Sequence, residues 1–263
     1  MKPDKNHLPK VVTREQWLKE RKELLKKEKD LTAHRDKLNA ERRRLPMVKI
    51  DKGYEFEGSQ GKVSLADMFE SRQQLLIYHF MLDPDWEEGC LSCSLVADNM
   101  GHLSHLHARD TNLVLVSRAP FVKIEAYKKR MGWEIPWYSS FDSDFNYDFR
   151  VTIDPEQGSV EYNYQAVGEL GETWDGWKGE MPGISTFIRY DDSVFHTYSS
   201  YARGLDLLVN TFNYLDLTAL GRQENWEKPF GRSDAKAMQW VRRHDKYQYI
   251  IFPSSLNTSE NTN

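Results

Sequence analysis

The chain reads Leu75-Leu-Ile-Tyr-His-Phe-Met-Leu82, continues with Asp83-Pro-Asp-Trp-Glu-Glu-Gly89 and then reaches Cys90-Leu-Ser-Cys93. A second apolar run, Asn112-Leu-Val-Leu-Val-Ser117, follows after a segment of helical length. Both runs are short and rich in strand formers, which is typical of buried strands. The region from 75 to 119 therefore predicts a strand–loop–helix–strand unit with both cysteines at the start of the helix.

The two cysteines have the spacing that thiol–disulfide chemistry needs, and the chain contains no others. Cysteines three residues apart on a first helical turn lie close enough to bridge. The unpaired N–H groups of a helix N-terminus favour the thiolate, which is the nucleophile. We therefore expect Cys90 to attack and Cys93, one turn deeper, to resolve the mixed disulfide.

Two acidic residues precede the first cysteine. Glu87 and Glu88 add negative charge beside Cys90, and negative charge disfavours a thiolate. We expect the pKa of Cys90 to be less depressed than in strongly oxidising proteins, so that the pair tends toward a reductant.

Further motifs extend along the chain: Tyr78-His-Phe-Met81, Trp86-Glu-Glu-Gly-Cys90, Ser92-Cys-Ser94, Val116-Ser-Arg-Ala-Pro120, Arg130-Met-Gly-Trp-Glu-Ile-Pro-Trp137, Phe145-Asn-Tyr-Asp-Phe149 and Phe195-His-Thr-Tyr-Ser199. In these motifs, from about Leu8 to Tyr247, the chain resembles a bacterial thioredoxin-like family of unknown function. The resemblance implies an α/β fold, a thioredoxin-like three-layer α/β/α sandwich. Its central sheet should be mixed, with a long N-terminal helix and an insertion before the third central strand.

The resemblance also suggests residues around the cysteines. His79 falls where thioredoxins carry a buried acidic residue, so it is either a proton relay for the deeper cysteine or a core histidine. Ser185 stands where thioredoxins have a cis-proline facing the disulfide, and with Trp86 it is a candidate substrate-binding residue. Arg118 follows a central strand at its C-terminal edge, where it would anchor a substrate or a thiolate, or pair with a local acid.

Three functions remain open at this point. The leading one is a thiol–disulfide oxidoreductase acting on a protein or small-molecule disulfide or thiol, with no cofactor. A peroxiredoxin-like thiol peroxidase is favoured by the predicted hairpin and short helix before the first central strand. It is disfavoured because the Pro and Thr that peroxiredoxins place before their peroxidatic cysteine are missing here. The third is a non-catalytic binding or scaffold protein of the same fold.

A zinc site is the competing interpretation of the cysteines. Cys90, Cys93, His102 and His105 form a string of residue types that bind zinc. One helix from Ser94 to about Arg109 would separate the two pairs by more than about 12 Å, which is too far for one ion. We therefore predict no metal site.

Composition narrows the class of protein. The formal net charge of −4 on 263 residues gives no argument for nucleic-acid binding. No apolar run is long enough to span a bilayer, and no signal-peptide core follows the first residues. The expectation is a soluble cytoplasmic protein without a membrane partner.

The predicted organisation has four parts. Residues 1–46 form a charged helical arm that begins with the capping box Thr13-Arg-Glu-Gln16. Its apolar residues recur every seven positions, at Trp17, Leu24, Leu31, Leu38 and Leu45. The arm is either a solvated helix on the domain surface or the contact of a homodimer. Residues 47–222 form the thioredoxin-like domain with an insertion at about 142–181, residues 223–253 a helical extension, and residues 254–263 a disordered tail.

Overall fold

A computed structural model describes residues 8–171 and 176–248. The helices are α1 (Arg14–Arg42), α2 (Leu91–Asp98), α3 (Ser104–His107), α4 (Phe121–Met131), α5 (Phe145–Asp148) and α6 (Asn210–Asp216). The strands are β1 (Val48–Lys49), β2 (Glu55–Gly58), β3 (Gly61–Ser64), β4 (Gln74–His79), β5 (Thr111–Ser117), β6 (Trp137–Ser139), β7 (Thr152–Ile153), β8 (Glu161–Tyr162), β9 (Gln165–Ala166), β10 (Gly179–Glu180), β11 (Gly183–Tyr190) and β12 (Ser193–Tyr201).

Eight strands form one mixed sheet in the order β1-β12-β11-β4-β5-β6-β2-β3. The central strands β4, β5 and β6 are parallel, while β11 runs antiparallel to β4 and β12 runs antiparallel to β11. The register pairs Gly183 with His79 and His79 with Val116. The start of β11 therefore lies at the same sheet edge as the ends of β4 and β5, and α2 with the cysteines begins just beyond β4.

The two faces of the sheet bury separate hydrophobic clusters. Side chains alternate along a strand, so Tyr78 faces one side while Ile77 and His79 face the other. The first side, here called the helical face, packs on α2, α4 and α6 through residues such as Val96, Ile124 and Phe212. The second side is the insertion face.

The predicted insertion forms much of the insertion face. Phe145, Phe149, Ile153 and Tyr162 from this region pack against strand residues such as Ile77. Its aromatic residues therefore belong to a core shared with the sheet. Helices on one face and the insertion on the other give the three-layer thioredoxin-like sandwich expected from the resemblance, and this expectation is confirmed.

Helix α1 begins at the expected capping box, with the Gln16 backbone N–H donating to Thr13 and the Gln16 side chain accepting from the Thr13 N–H. The helix contains 29 residues, about 44 Å, and none is buried. Arg21 pairs with Glu28 on the helix itself, and the other half-buried positions lie in the last turns. Before these last turns, most of the helix is therefore exposed and not packed on the described part of the domain.

Two helix predictions are wrong. The predicted helix from Ser94 to Arg109 is interrupted after Asp98, where the Asn99 side-chain amide donates to the Leu95 carbonyl at 2.8 Å. The Asn99 side-chain oxygen then accepts the Thr211 backbone N–H at 2.7 Å, which ties the end of α2 to the start of α6. Asn99 therefore links the last turn of α2 to α6.

The helical extension predicted over residues 223–253 is also absent in its described part. Between residues 223 and 248 the helical structure is a single 3-10 turn, His244–Lys246. The buried Glu224 carboxylate accepts the Met238 backbone N–H at 2.7 Å and the Trp240 indole N–H at 2.9 Å. A side chain thus takes the donor that a helical carbonyl would have taken. Residues 249–253 and the predicted tail 254–263 lie outside the described residues.

Candidate functional site, a two-cysteine centre at a helix start

Cys90 is the N-cap residue of α2 and is half-buried. Its backbone N–H donates to the Met81 carbonyl at 3.1 Å, and its carbonyl accepts the Ser94 backbone N–H at 2.9 Å and the Ser94 hydroxyl at 2.7 Å. The peptide groups on both sides of the cysteine are therefore fixed. This leaves the sulfur at the open end of the helix, as the sequence predicts.

The Cys90 sulfur is surrounded by hydrogen-bond donors. The Cys93 thiol is the strongest, the Ser92 hydroxyl lies 3.1 Å away, and the backbone N–H groups of both residues also donate. These hydrogen bonds outweigh burial and lower the pKa of Cys90 to about 6. At neutral pH the sulfur is therefore mostly a thiolate, the form that attacks a disulfide.

Cys93 is fully buried beneath the first cysteine. Burial raises the pKa of Cys93 well above that of an ordinary thiol, whereas hydrogen bonds from the Tyr78 side chain and the Met81 backbone work in the opposite direction. The Met81 N–H lies 3.4 Å from the sulfur. The two cysteines thus lie in different environments, one half-buried with a lowered pKa and the other fully buried with a raised pKa.

The two glutamates before Cys90 are both paired. Glu87 binds Lys123 at 3.0 Å, and Glu88 binds Arg130 and, at 2.8 Å, Arg243. The pKa of Cys90 at about 6 is nevertheless less depressed than the value of about 3.5 known for a strong oxidant. The direction agrees with the expectation, but hydrogen bonding and burial set the pKa rather than these carboxylates.

His79 does not face the cysteines. Its Nε2 atom lies 2.8 Å from the Ser185 hydroxyl, and its ring packs against Phe145 and Phe149 on the insertion face. Burial lowers the pKa of His79 to about 3, so the ring stays neutral. The structure contradicts the proton-relay interpretation, because alternation along β4 turns position 79 away from Cys93 and turns Tyr78 toward it.

The resemblance also made Ser185 a candidate for the cysteine site, and this prediction is wrong. It is fully buried in the middle of β11, opposite Ile77, and its hydroxyl lies 2.8 Å from Ser199 and from His79. A residue without exposed surface at this position cannot contact a substrate.

The proline at the end of the sheet nearest the cysteines is Pro182, immediately before β11. It is half-buried, its peptide bond to Met181 is trans, and its carbonyl accepts the Tyr162 hydroxyl at 2.8 Å. Tyr162 comes from the insertion and is close enough for its pKa to respond to Cys93. Both residues were missed. The available signal was the proline in Met181-Pro182-Gly183, three residues before the position that the resemblance matched to the thioredoxin proline.

Arg118 belongs to a buried polar cluster on the insertion face. Its guanidinium binds Glu180 at 3.0 Å and lies 5.0 Å from the centre of the Tyr147 ring. Glu180 also accepts hydrogen bonds from Thr152 and Asn146, and burial raises its pKa to about 7. The acid that pairs with Arg118 is therefore Glu180, not Glu87 or Glu88, and this pair joins β5 to the insertion.

Trp86 stays with the cysteines. It is half-buried and packs against the same helical-face cluster as Cys90, and the Lys123 ammonium donates to its carbonyl at 3.4 Å. Of the six predicted site residues, the structure thus brings together Cys90, Cys93 and Trp86. It places His79, Ser185 and Arg118 on the other face of the sheet.

The described residues, 8–171 and 176–248, contain neither a metal-ligand cluster nor a membrane-spanning helix. Within these ranges, no three His, Cys, Asp or Glu side chains gather into a cluster fit for a metal ion. None of the helices there combines the length and the apolar character that a membrane crossing requires.

A family model described as "Bacterial protein of unknown function (DUF899)" matches residues 6–247. The chain belongs to this family. The matched residues include all of helix α1 at one end and the segment that carries Arg243 at the other. No curated protein matches the chain.

Several solved structures are similar to this DUF899 chain. Peroxiredoxin Q from Xanthomonas campestris is 14% identical over 61% of this chain and 89% of its own, with a TM-score of 0.39. Peroxidoxin BcpB from Mycobacterium tuberculosis is 12% identical over 65% and 96%, with a TM-score of 0.40. The mitochondrial 2-Cys peroxiredoxin from Plasmodium falciparum is 10% identical over 65% and 95%, with a TM-score of 0.39. Similarities this low do not assign an activity to this chain.

Proposed function

We propose that this protein is a thiol–disulfide oxidoreductase whose Cys90–Cys93 pair cycles between dithiol and disulfide. The observation that supports it is the asymmetry of the pair. Cys90 is accessible, has several hydrogen-bond donors at its sulfur and a pKa of about 6, while Cys93 is buried beside it with a raised pKa. This combination suits an attacking and a resolving thiol.

The proposed cycle begins when the Cys90 thiolate attacks one sulfur of a substrate disulfide. A Cys90–substrate bond forms, the substrate S–S bond breaks, and the other substrate sulfur leaves and takes up a proton. Cys93 then loses its proton and attacks the Cys90 sulfur, which forms the Cys90–Cys93 disulfide and releases the second substrate thiol. The substrate gains two electrons and the protein loses two. An external dithiol restores the reduced pair.

The substrate class is a protein or small-molecule disulfide. Because electrons pass directly between sulfur atoms, the cycle needs no bound cofactor. A dithiol with these properties suits a compartment that keeps thiols reduced, such as the cytoplasm.

Insulin reduction in the presence of dithiothreitol tests the proposal. We expect the wild type to accelerate insulin precipitation and Cys90→Ser to lose this activity. Cys93→Ser should accumulate a mixed disulfide with substrate, visible as added mass by mass spectrometry, because no resolving thiol remains. Wild-type acceleration no faster than Cys90→Ser would contradict the proposal.

Hydrogen peroxide consumption by the same proteins separates the two alternatives. Rapid Cys90-dependent peroxide loss without insulin reduction would indicate a thiol peroxidase. Absence of both activities would favour a binding or scaffold protein that has kept the fold.

A further inference from the structure

The C-terminal segment from Val241 to Tyr247, here called the strap, crosses the helical face next to the cysteines. Val241 is 1% exposed and belongs to the same buried cluster as Cys93. Asp245 binds Arg130 of α4 at 2.9 Å, and His244 binds Asp98 of α2 at 2.7 Å. The strap is therefore anchored to both helices that flank the two-cysteine centre.

Arg243 is the strap residue that points at the loop before Cys90. Its side chain is 16% exposed, and all three of its guanidinium nitrogens have partners. They bind the Gly89 carbonyl at 2.7 Å, the Tyr127 hydroxyl at 2.9 Å and the Glu88 carboxylate at 2.8 Å. A single side chain thus fixes the two residues before the attacking cysteine.

A relay of hydroxyls extends this contact to Cys90 itself. The Tyr127 hydroxyl lies 2.9 Å from the Ser94 hydroxyl, which donates to the Cys90 carbonyl at 2.7 Å. A guanidinium only donates and a carbonyl only accepts, so the direction of the relay is determined: Arg243 to Tyr127, Tyr127 to Ser94, Ser94 to Cys90. Such chains strengthen each member in a low-dielectric interior.

The packing around Gly89 leaves no room for a side chain at this position. A Cβ atom on Gly89 would lie 2.6 Å from the Phe80 ring and 2.7 Å from the Tyr127 ring. The Gly89–Cys90 peptide is thus packed on one side, bonded to Arg243 through its carbonyl and bonded to Met81 through its N–H. Loss of the Arg243 contact would free one end of this peptide.

We infer that Arg243 is a positioning residue for the proposed reaction: through Gly89 and the Tyr127–Ser94 relay it holds Cys90 so that its sulfur stays aimed at the donors of α2. The inference deepens the proposed function and rests on it for its chemical purpose. Arg243 does not touch the reacting sulfur.

Alkylation of reduced Cys90 by iodoacetamide as a function of pH tests the inference. The titratable and charged groups around this sulfur include Cys93, Tyr78, Glu88, Tyr127, Arg130 and Arg243. We expect a wild-type midpoint near pH 6. Arg243→Ala should raise it by about one pH unit, which means about tenfold less thiolate below both midpoints. The matched control is Arg242→Ala, because among the described residues the side chain of the exposed Arg242 hydrogen-bonds to the nearby Gln239 and Val241 carbonyls and not to the loop before Cys90.

Two further variants distinguish positioning from charge and from folding. Arg243→Lys keeps the charge but cannot make three bonds at once, so we expect partial rescue. Tyr127→Phe keeps the ring and cuts the relay, so it should shift the midpoint by a smaller amount in the same direction. It also decides the question if Arg243→Ala does not fold, as judged by near-ultraviolet circular dichroism.

Three results would overturn the inference: a wild-type midpoint in both Arg243→Ala and Tyr127→Phe, complete rescue by lysine, or an equal shift in Arg242→Ala. Alkylation requires no substrate disulfide. A wild type inactive on insulin whose midpoint still shifts in Arg243→Ala would therefore reject the proposed function and keep the positioning role.

Discussion

At the residue scale, the Tyr78 side chain provides a hydrogen bond to the sulfur of the buried Cys93. It is 1% exposed, lies on the helical face and is hydrogen-bonded to Cys93. Burial is the main reason why the pKa of Tyr78 lies well above its usual range, so the phenol stays protonated. A protonated phenol is a donor, and a donor stabilises the Cys93 thiolate while it attacks or leaves.

We expect Tyr78→Phe to slow the resolving step about 10- to 100-fold, because a hydrogen bond to a charged group contributes about 1.5–3 kcal/mol. Stopped-flow mixing with a chromogenic disulfide, followed by acid quench and mass spectrometry, should show accumulated Cys90 mixed disulfide. The alkylation rate of Cys90 in the reduced protein should change much less.

His79→Asn is the matched comparison for that experiment. It changes the neighbouring strand residue on the opposite face, where His79 bonds to Ser185. If both variants slowed the resolving step equally, the phenol would have no specific role, since of these two residues it is Tyr78 that contacts Cys93.

The pair Arg118–Glu180 acts at the scale of elements, because it joins the end of β5 to β10 of the insertion. Glu180 is 1% exposed and Arg118 is 20% exposed at its side chain. Removal of the carboxylate leaves a largely buried cation without its partner and leaves Thr152 and Asn146 without their acceptor.

We expect Glu180→Ala to lower the free energy of unfolding by about 2–3 kcal/mol, measured by urea denaturation at pH 8, where most of the Glu180 carboxyl is ionised. Glu161→Ala is the control, because its partner Arg150 lies at 3.3 Å with both side chains about half exposed. An exposed pair of this kind contributes about 0–1 kcal/mol. Equal losses in the two variants would show that the buried pair does not fasten the insertion.

At the scale of the whole molecule, α1 stands out because none of its residues is buried by the part of the chain that the structure describes. The residues of its seven-residue stripe are exposed, with Trp17 at 46%, Leu24 at 51%, Leu31 at 70% and Leu38 at 55%. Most helical stability in proteins comes from packing of an apolar face, and within residues 8–171 and 176–248 nothing buries the apolar stripe of this helix. This favours the dimer interpretation of the arm over a helix lying on the domain surface.

We expect the full chain to have the mass of a dimer in light scattering after size exclusion. The double variant Leu24→Lys/Leu31→Lys should have the mass of one chain, because charges in the stripe oppose burial. Ala33→Lys adds a lysine on the opposite side of the helix and should remain dimeric. A wild type that is monomeric at all concentrations would contradict the expectation.

Local patterns predicted those parts of the fold that local forces determine. The capping box starts α1 at the expected residue, and the short apolar runs at 75 and 112 became β4 and β5. The Cys-x-x-Cys motif also lies at the start of α2, as predicted, with Cys90 as the N-cap residue and Cys93 in the first turn. Both positions depend on the same four-residue segment.

Other local patterns were overridden. The segment after Ser233 has a helical pattern, yet Glu224 takes its backbone donor at Met238. The resemblance made Ser185 a candidate for the cysteine site and left His79 open between a proton relay and a core histidine. A shift of one residue along a strand turns a side chain to the opposite face of the sheet. Neither result could be predicted from one short segment, because each depends on residues far apart in the chain.

The sequence by itself determined where the cysteine pair lies and the strand–helix unit that carries it, since these depend on residues close together in the chain. Only the tertiary structure decided what surrounds the pair. Tyr78 beneath Cys93 depends on which strand face meets α2, and Arg243 reaches Gly89 across 154 positions. The physical reason is that hydrogen bonds and burial depend on distance in space, which chain neighbours predict only over a few residues.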